Sequence, residues 1–377
     1  MLDADLVVIG AGLAGCSLIA RLRQLKWTGR IAVVEAGRGP GGRTSSRRRR
    51  DRPEWRLDHG APGFHLEPSL PEGLQALLDP LRENGSLQQA DSDVITLAED
   101  GSIRGPEGPA QGDWLEGQPC MASVCEAFLA MDAGPSTQHF GRRIRTLQRV
   151  GTHWCLCDEG SDWQLRGSHL VLSGSLLAHP RSLAMLAWPE VPLRAAVPTG
   201  LDPDLDQALE TLARSRAGVR WNLMLDLPLN GEQYPRQIWL TPEAQAQWQV
   251  ERLVLQPQAD NHTGLVVHGL DCGEPITPES QPLLLRQQEK RLRQQLPELL
   301  KPWPELQSAC GRAESLGVMR WGASQPLDHP LARSLQWCDA SSVGFCGDYI
   351  DGPGFGRAEG ALRSAVDLAE HLVTLTP

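Results

Sequence analysis

Six residues, Gly10-Ala11-Gly12-Leu13-Ala14-Gly15, constrain this 377-residue chain more than any other stretch of it. They follow the apolar run Leu6-Val7-Val8-Ile9, which reads as a strand buried on both faces. They open a segment in which Ala14, Leu18, Leu22 and Leu25 recur at helical spacing up to Trp27, with Gly29 as a stop signal. Ile31-Ala32-Val33-Val34 is then a second strand, so the pattern predicts a right-handed βαβ unit. In that context each glycine has a task. Gly10 permits the tight turn, Gly12 lets a pyrophosphate approach the backbone, and Gly15 lets helix and strand pack closely. The helix N-terminus offers unpaired N–H groups to the phosphates. Glu35 ends the second strand, where a carboxylate accepts the ribose hydroxyls of an adenosine and repels a 2′-phosphate.

This unit does not distinguish FAD from NAD. Residues beyond Glu35 bear on the choice. Gly41-Gly42-Arg43 lies just past it, where two glycines let the chain pass close to a cofactor and an arginine offers paired donors to a pyrophosphate. Asp58-His59-Gly60-Ala61 again places small residues where a backbone must run beside a ligand, although alone it is an ordinary turn.

Composition excludes several other classes. The 36 Lys and Arg against 46 Asp and Glu leave a net charge of −10, which repels nucleic acid and anionic membrane. One basic run, Arg47 to Arg50 with Arg52, stands against that balance; it reads as a solvated hairpin or as a nucleic-acid contact, and no aromatic residue interleaves it. Nine cysteines, an odd number without metal-site spacing, point to a reducing compartment. Cys155 and Cys157 are expected to share one strand face as small buried hydrophobes. No metal cluster and no Ser/His/Asp constellation is expected. The start of the chain shows no signal-peptide pattern, and no apolar run is long enough to span a membrane. A cytoplasmic protein with no nucleic-acid or membrane partner is the expectation.

Along the chain, 98–118 reads as a loop or insertion, and Met121 to Met131 as a helix. Short strands are expected at 144–147, 154–157 and 170–172. Helices at 204–216 and 283–300 flank strand-like stretches at 221–227, 237–240, 252–255 and 265–267. Strands and helices without βαβ alternation suggest an α+β unit with a mostly antiparallel sheet. The end of the chain returns to the style of its start, with a strand at Val343-Gly344-Phe345-Cys346, a glycine-rich turn and a helix from Arg357 to Val373. The expected fold is therefore α/β: a Rossmann-like domain built from 1–70, 118–180 and 335–377, with an inserted α+β substrate domain from 71–117 and 181–334.

The sequence resembles the flavin-containing amine oxidase superfamily, and within it the renalase-like bacterial branch. The resemblance runs through the glycine fingerprint, Glu35, Gly41-Gly42-Arg43-Thr44, Arg47-Arg48, Asp58-His59-Gly60-Ala61 and Phe64. It resumes at Gly117-Gln118-Pro119 with Met121, at Met319-Arg320-Trp321, and from Cys346-Gly347-Asp348 through Gly360. It implies a two-dinucleotide-binding-domain flavoprotein holding extended FAD. Its cofactor contacts are then Gly10 to Gly15, Glu35, Ala36, Gly42, Arg43, Gly60 and Ala61, with Ile144 near the adenine and Gly347-Asp348 at the ribityl chain. Gly356, Arg357 and Ala358 complete the set at the start of the last helix. If that N-terminus faces the flavin pyrimidine edge, its dipole is worth about 0.3–2 kcal/mol of tuning to the reduced, anionic state. Trp321 and His59 are the candidates beside the flavin, with a core tryptophan and a plain polar turn as the alternatives. Arg320 reads as a salt-bridge partner or a substrate clamp.

The implied activity is oxidation of a small molecule, a dihydronicotinamide or an amine, by hydride transfer to flavin N5, with dioxygen or another acceptor reoxidising the flavin. A polyene desaturase and a non-catalytic binding scaffold are the alternatives. The chemistry belongs to the cofactor, so the protein need only position the substrate and exclude water.

Overall fold

The computed structural model describes residues 2–90, 93–131, 134–160, 162–186, 188–271, 273, 276–277 and 279–375. At its centre the strand Leu2–Ile9 lies between two parallel neighbours, Ile31–Glu35 and Gln164–Leu172. Ser136–Phe140 continues the sheet in parallel beyond Ile31–Glu35, and Val343–Phe345 pairs in parallel with Leu170 to Leu172. The hairpin of Ile144–Val150 and His153–Asp158 adds antiparallel strands beside Gln164–Leu172.

Both faces of this sheet are covered, as its continuous apolar strands require. Leu6 and Val8 point into a core made with the helices Leu13–Gln24, Glu72–Glu83, Ala122–Ala130 and Ala358–Leu375. Ala4 and Val7 point the other way, toward Trp154, Leu193, Leu205, Leu209 and Phe345. Each fully buried Val, Leu or Phe contributes about 1.5–3 kcal/mol relative to exposure.

A second sheet runs in the order Glu314–Pro326, Ala217–Leu227, Thr263–Leu270, Val250–Pro257, Gln237–Leu240, Val94–Leu97, Ile103–Arg104. Its pairings are antiparallel except that between Gln237–Leu240 and Val94–Leu97. Trp221, Leu223, Leu225, Leu253, Leu265 and Val267 bury one face against the helices Gln281–Leu299 and Pro304–Gly311. By the two-residue period of a strand, Arg220, Asn222, Met224 and Asp226 occupy the opposite face. The mostly antiparallel sheet is thus as expected from strands and helices that lack βαβ alternation.

The structure corrects several of the sequence-based expectations. Residues 71–83 and 181–212, expected with the second sheet, pack their leucines on the first. Leu74, Leu77, Leu78 and Leu81 form one helical stripe that needs a large apolar surface, and the Leu13–Gln24 and Ala358–Leu375 helices supply it. The loop expected over 98–118 contains two short strands, Ile103–Arg104 and Leu115–Gly117.

The basic run forms a hairpin, Ser46–Arg48 with Arg56–Asp58, but it is only partly solvated. Arg49, with 13% of its side chain exposed, donates to Asp51, Asp226 and Glu314, and Arg52 donates to Asp226 at 2.9 Å. Asp226 is buried in the second sheet, so two of these arginines anchor the hairpin to it. Cys155 and Cys157 do share a face, but the half-buried one, because Trp154, Leu156 and Asp158 take the buried side. No helix among the described residues is long and apolar enough to cross a membrane.

Candidate functional site

The site begins where the first strand turns into the first helix. Gly10 has φ +103°, a left-handed conformation that glycine adopts without strain. Its carbonyl accepts from Ser173 Oγ–H at 2.8 Å, and a Cβ on Gly15 would run into that same carbonyl. Gly12 caps the Leu13–Gln24 helix with no side-chain hydrogen bond, leaving the helix N-terminus open. Leu13, Ala14 and Gly15 are buried in the turn. The Ala11 N–H donates to Glu35 Oε2 at 2.9 Å and the Gly37 N–H to Glu35 Oε1 at 2.6 Å, so the carboxylate is held beside the turn. Ala36 is exposed at the end of the strand.

Gly41 and Gly42, both with positive φ, return the chain to this turn, and Gly41 N–H donates to the Ala11 carbonyl at 2.7 Å. Arg43 then makes a two-pronged ion pair with Asp348, at 2.6 and 2.7 Å, and donates to the Ser324 carbonyl at 3.0 Å. Burial works against the Arg43 charge, but the Asp348 carboxylate more than offsets it and raises the guanidinium above its ordinary value. Gly347 N–H donates to Ser364 Oγ at 2.9 Å and Gly356 N–H to the Asp348 carbonyl at 2.8 Å, fixing the aspartate on the last helix. Arg357 is exposed beside Ala358, and a Cβ on Gly356 would lie 3.1 Å from Gln325 Nε2. The helix start therefore abuts the strand that carries Trp321.

Asp348 is nearly closed off, whereas Arg43 keeps 38% of its side-chain surface, so the pair presents its guanidinium rather than its carboxylate to the open groove beside it. Arg181 lies within electrostatic reach of Arg43 and Asp348, donates to Ser175 Oγ at 2.7 Å, and has no ion pair among the described residues. Burial, then the Arg43 charge, pulls its pKa down. Two guanidinium groups against one carboxylate leave the groove one positive charge in excess. An open helix N-terminus, a cradle of glycines and an uncompensated cation suit an anionic dinucleotide.

Ile144 turns its side chain into the core with Val34 and Trp154. The backbone leading into it is tied to the end of the second strand, since Arg142 N–H donates to the Glu35 carbonyl at 2.9 Å.

Gly60 is pressed against Arg43, whose carbonyl accepts from the Ala61 N–H at 2.8 Å. A Cβ on Gly60 would sit 3.2 Å from the Trp321 ring. His59 and Trp321, separated by more than half the chain, stack with ring centroids 5.5 Å apart and planes 15° apart. The His59 carbonyl accepts from Trp321 Nε1–H at 3.3 Å and from Asn222 Nδ2–H at 2.8 Å. Burial first, then the Arg47 charge, pushes the imidazole pKa down to about 4, so it is neutral near pH 7. Arg320 has no ion pair among the described residues and lies over the Trp221 ring at 5.4 Å, on the far face of its strand from Trp321.

Asp58 points away from His59, as alternation in an extended strip requires. It lines a separate cavity of about 200 Å³ together with Glu116, Arg56, Arg236 and Gln256. Burial raises its pKa to about 7, although Ser46 Oγ–H and the Met121 N–H, at 3.1 Å, donate to it.

Sequence reasoning missed Arg181, Arg252, Asn222 and His268. None stands in a motif, and only strand pairing brings Asn222 opposite His268 and Arg252 opposite His268.

Residues 8–80 match the NAD(P)-binding Rossmann-like domain family. No curated protein matches the chain in sequence. Among solved structures, wild-type putrescine oxidase bound to putrescine is 12% identical over 99% of both chains, with a TM-score of 0.61. Cyclohexylamine oxidase from Brevibacterium oxydans IH-35A is 14% identical over 99% of both chains, with a TM-score of 0.64. A CLA-producing fatty acid isomerase from P. acnes is 12% identical over 98% of both, with a TM-score of 0.60. The chain thus matches a Rossmann-like domain family over residues 8–80 and shares, over nearly its whole length, the fold of these two amine oxidases.

Proposed function

We propose that this protein is an FAD-dependent oxidoreductase that oxidises a small molecule, with the first sheet holding the cofactor and the second holding the substrate. The carrying observation is the convergence of Gly60, Arg43, Asp348 and the stacked pair His59–Trp321 at one end of the charged groove. The groove supports an extended cofactor: Glu35 beside the glycine turn for the adenosine, with Ala36 and the backbone near Ile144 flanking it. Gly10 to Gly15 and Gly42 take the pyrophosphate, and Arg43, Gly347 and Asp348 the ribityl side. Gly356, Arg357 and Ala358 present the last helix's N-terminus to the flavin ring, next to Gly60 and Ala61.

When bound, FAD would supply two-electron oxidation of a substrate C–H bond, with dioxygen or another acceptor taking up the electrons and the released proton going to solvent. The chain's own residues then position and exclude. Trp321 gives a flat wall, and neutral His59 holds that wall in plane without donating a charge. Among the described residues no side chain at this junction is set up as a strong base, in keeping with chemistry that depends on orientation. Dihydronicotinamides and amines are the substrate classes carried by the sequence resemblance to renalase-like proteins.

The test is purification followed by absorbance and anaerobic titration with an amine and a dihydronicotinamide. A yellow protein that bleaches with one of them supports the proposal. A colourless protein that cannot be reconstituted with FAD removes it.

A further inference from the structure

Behind the strip that carries His59 lies the cavity of about 200 Å³ into which Asp58 turns, and no step of the proposed chemistry uses it. Arg56 and Asp58 form one wall, Glu116 a second, and Arg236 with Gln256, at the second sheet, a third. Glu54, Pro119 and Ala259 are exposed at its mouth, whereas Asp58 and Leu255 are buried at its floor.

Asp58 is 9% exposed, and both donors that reach its carboxylate, Ser46 Oγ–H and the Met121 N–H, go to Oδ1. Oδ2 accepts no hydrogen bond among the described residues, and protein does not seal it off either. A buried carboxylate normally has its acceptors filled, so this oxygen is a vacant acceptor opening on the cavity. Three more charged side chains stand around the same space. Glu116 and Arg236 are both half-buried; burial pushes the Glu116 pKa up, and the nearby arginine draws it partly back. Arg56 is half-buried too, and its guanidinium donates only to the carbonyls of Pro53 and Trp55. None of the four makes an ion pair among the described residues. Glu54, at the mouth, is solvated and screened.

Two carboxylates and two guanidinium groups that line one opening without pairing are costly unless something between them answers both signs. A lone cation there meets Arg56 and Arg236, and a lone anion meets Asp58 and Glu116, so half of the wall repels either one. We propose that this cavity binds a small zwitterion, its ammonium group against Asp58 and Glu116 and its carboxylate against Arg236 and Arg56. The site goes beyond the oxidoreductase reading and does not depend on it. Gln256, which clasps the Asp58 backbone at 2.8 and 2.9 Å, lines the same cavity, so the ligand lies against the strip that presents His59.

The test is calorimetric titration of the purified protein at pH 8, above the value of about 7 at which Asp58 loses its proton. The probes are the unbranched amino acids with terminal ammonium and carboxylate, from glycine to 5-aminopentanoate, each beside the primary amine and the carboxylate of its own chain length. At least one amino acid is expected to bind, and to bind at least tenfold more tightly than its two singly charged analogues. Asp58→Asn and Arg236→Gln should each weaken it tenfold or more, Arg236→Lys should recover part of the loss, and Trp321→Ala should bind as the wild type does. Binding of none of the amino acids overturns the proposal, as does an amine or an acid that matches its zwitterion. So does a folded Asp58→Asn or Arg236→Gln protein with unchanged affinity, or loss of binding in Trp321→Ala, which would put the ligand at the flavin junction. If neither charge variant folds, the wild-type series decides alone. A colourless protein that still binds the amino acid defeats the oxidoreductase reading and leaves this site standing.

Discussion

The Trp321 indole lies nearly parallel to the His59 imidazole and donates its N–H to the carbonyl of that same residue. Two contacts to one partner fix both the tilt and the position of the ring, which neither contact does alone. Replacing Trp321 by Ala should leave FAD bound and slow anaerobic flavin reduction by about tenfold or more, roughly 1.4 kcal/mol in barrier. Trp321→Phe keeps the flat wall and should fall between. Unchanged reduction rates in Trp321→Ala would return this residue to a packing role.

In the proposed cofactor path Glu35 stands at the adenosine end and Asp348 at the ribityl end. Asp348→Ala leaves Arg43 and Arg181 without a carboxylate, and Glu35→Arg removes the ribose acceptor and adds a cation. Each should weaken FAD retention by about tenfold or more. Flavin-to-protein ratio after gel filtration is the measurement, and full occupancy in both variants would contradict the assigned cofactor path.

Asp58 and His59 are adjacent and have oppositely shifted titrations. The folded chain keeps the Asp58 proton up to about pH 7, whereas the unfolded chain loses it near 3.8. The Asp58 contribution is thus fully present below pH 3.8 and lost as pH rises through 7. His59 holds its proton only below about pH 4 when folded and below 6.5 when unfolded, so its contribution is full above 6.5 and lost as pH falls through 4. The two slopes oppose each other in one window. Asp58→Asn removes the first, so its stability relative to wild type should increase by about 2 kcal/mol between pH 5 and pH 8. Chemical denaturation at the two pH values checks this, and parallel pH profiles for the two proteins would refute it.

Asp226 receives Arg49, Arg52 and the His262 Nδ1 contact while itself buried. Asp226→Asn leaves two arginines without their shared carboxylate and should cost about 3 kcal/mol, read as a lower urea midpoint. Limited proteolysis should then cut the chain between Arg47 and Arg56 first, because the hairpin loses its anchor. A midpoint within error of wild type would show that Glu314 and Asp51 suffice.

How much of the molecule is legible in its sequence depends on how local each signal is. The glycine turn, Glu35 and the strand on either side are set by short-range sterics, and they appear as expected. Gly41-Gly42-Arg43 and Gly347-Asp348 are each visible as motifs, but that the arginine and the aspartate grip each other is a fact of tertiary packing. The basic run is legible as a hairpin and not as an anchor, because its partner Asp226 lies far along the chain. The helix at 72–83 shows its stripe plainly, yet a stripe does not say which sheet it covers. Arg252 and His268 carry no signal, since single polar residues in alternating strands look like solvent-facing positions until the facing strip is in place.

The strip that bears His59 belongs by sequence to the first part of the chain, but it is held elsewhere. Asp58 N–H donates to Gln256 and the Asp58 carbonyl accepts from it, Gln258 clasps Arg56 in the same way, and Asn222 holds His59 itself. The histidine is therefore tied to the second sheet, while Arg43 next to it bridges the two, through Asp348 on one side and the Ser324 carbonyl on the other. Any relative motion of the two sheets would strain the Arg43 contacts to Ser324 and Ala61, so the geometry around His59 and Trp321 gauges directly how well the two halves are aligned.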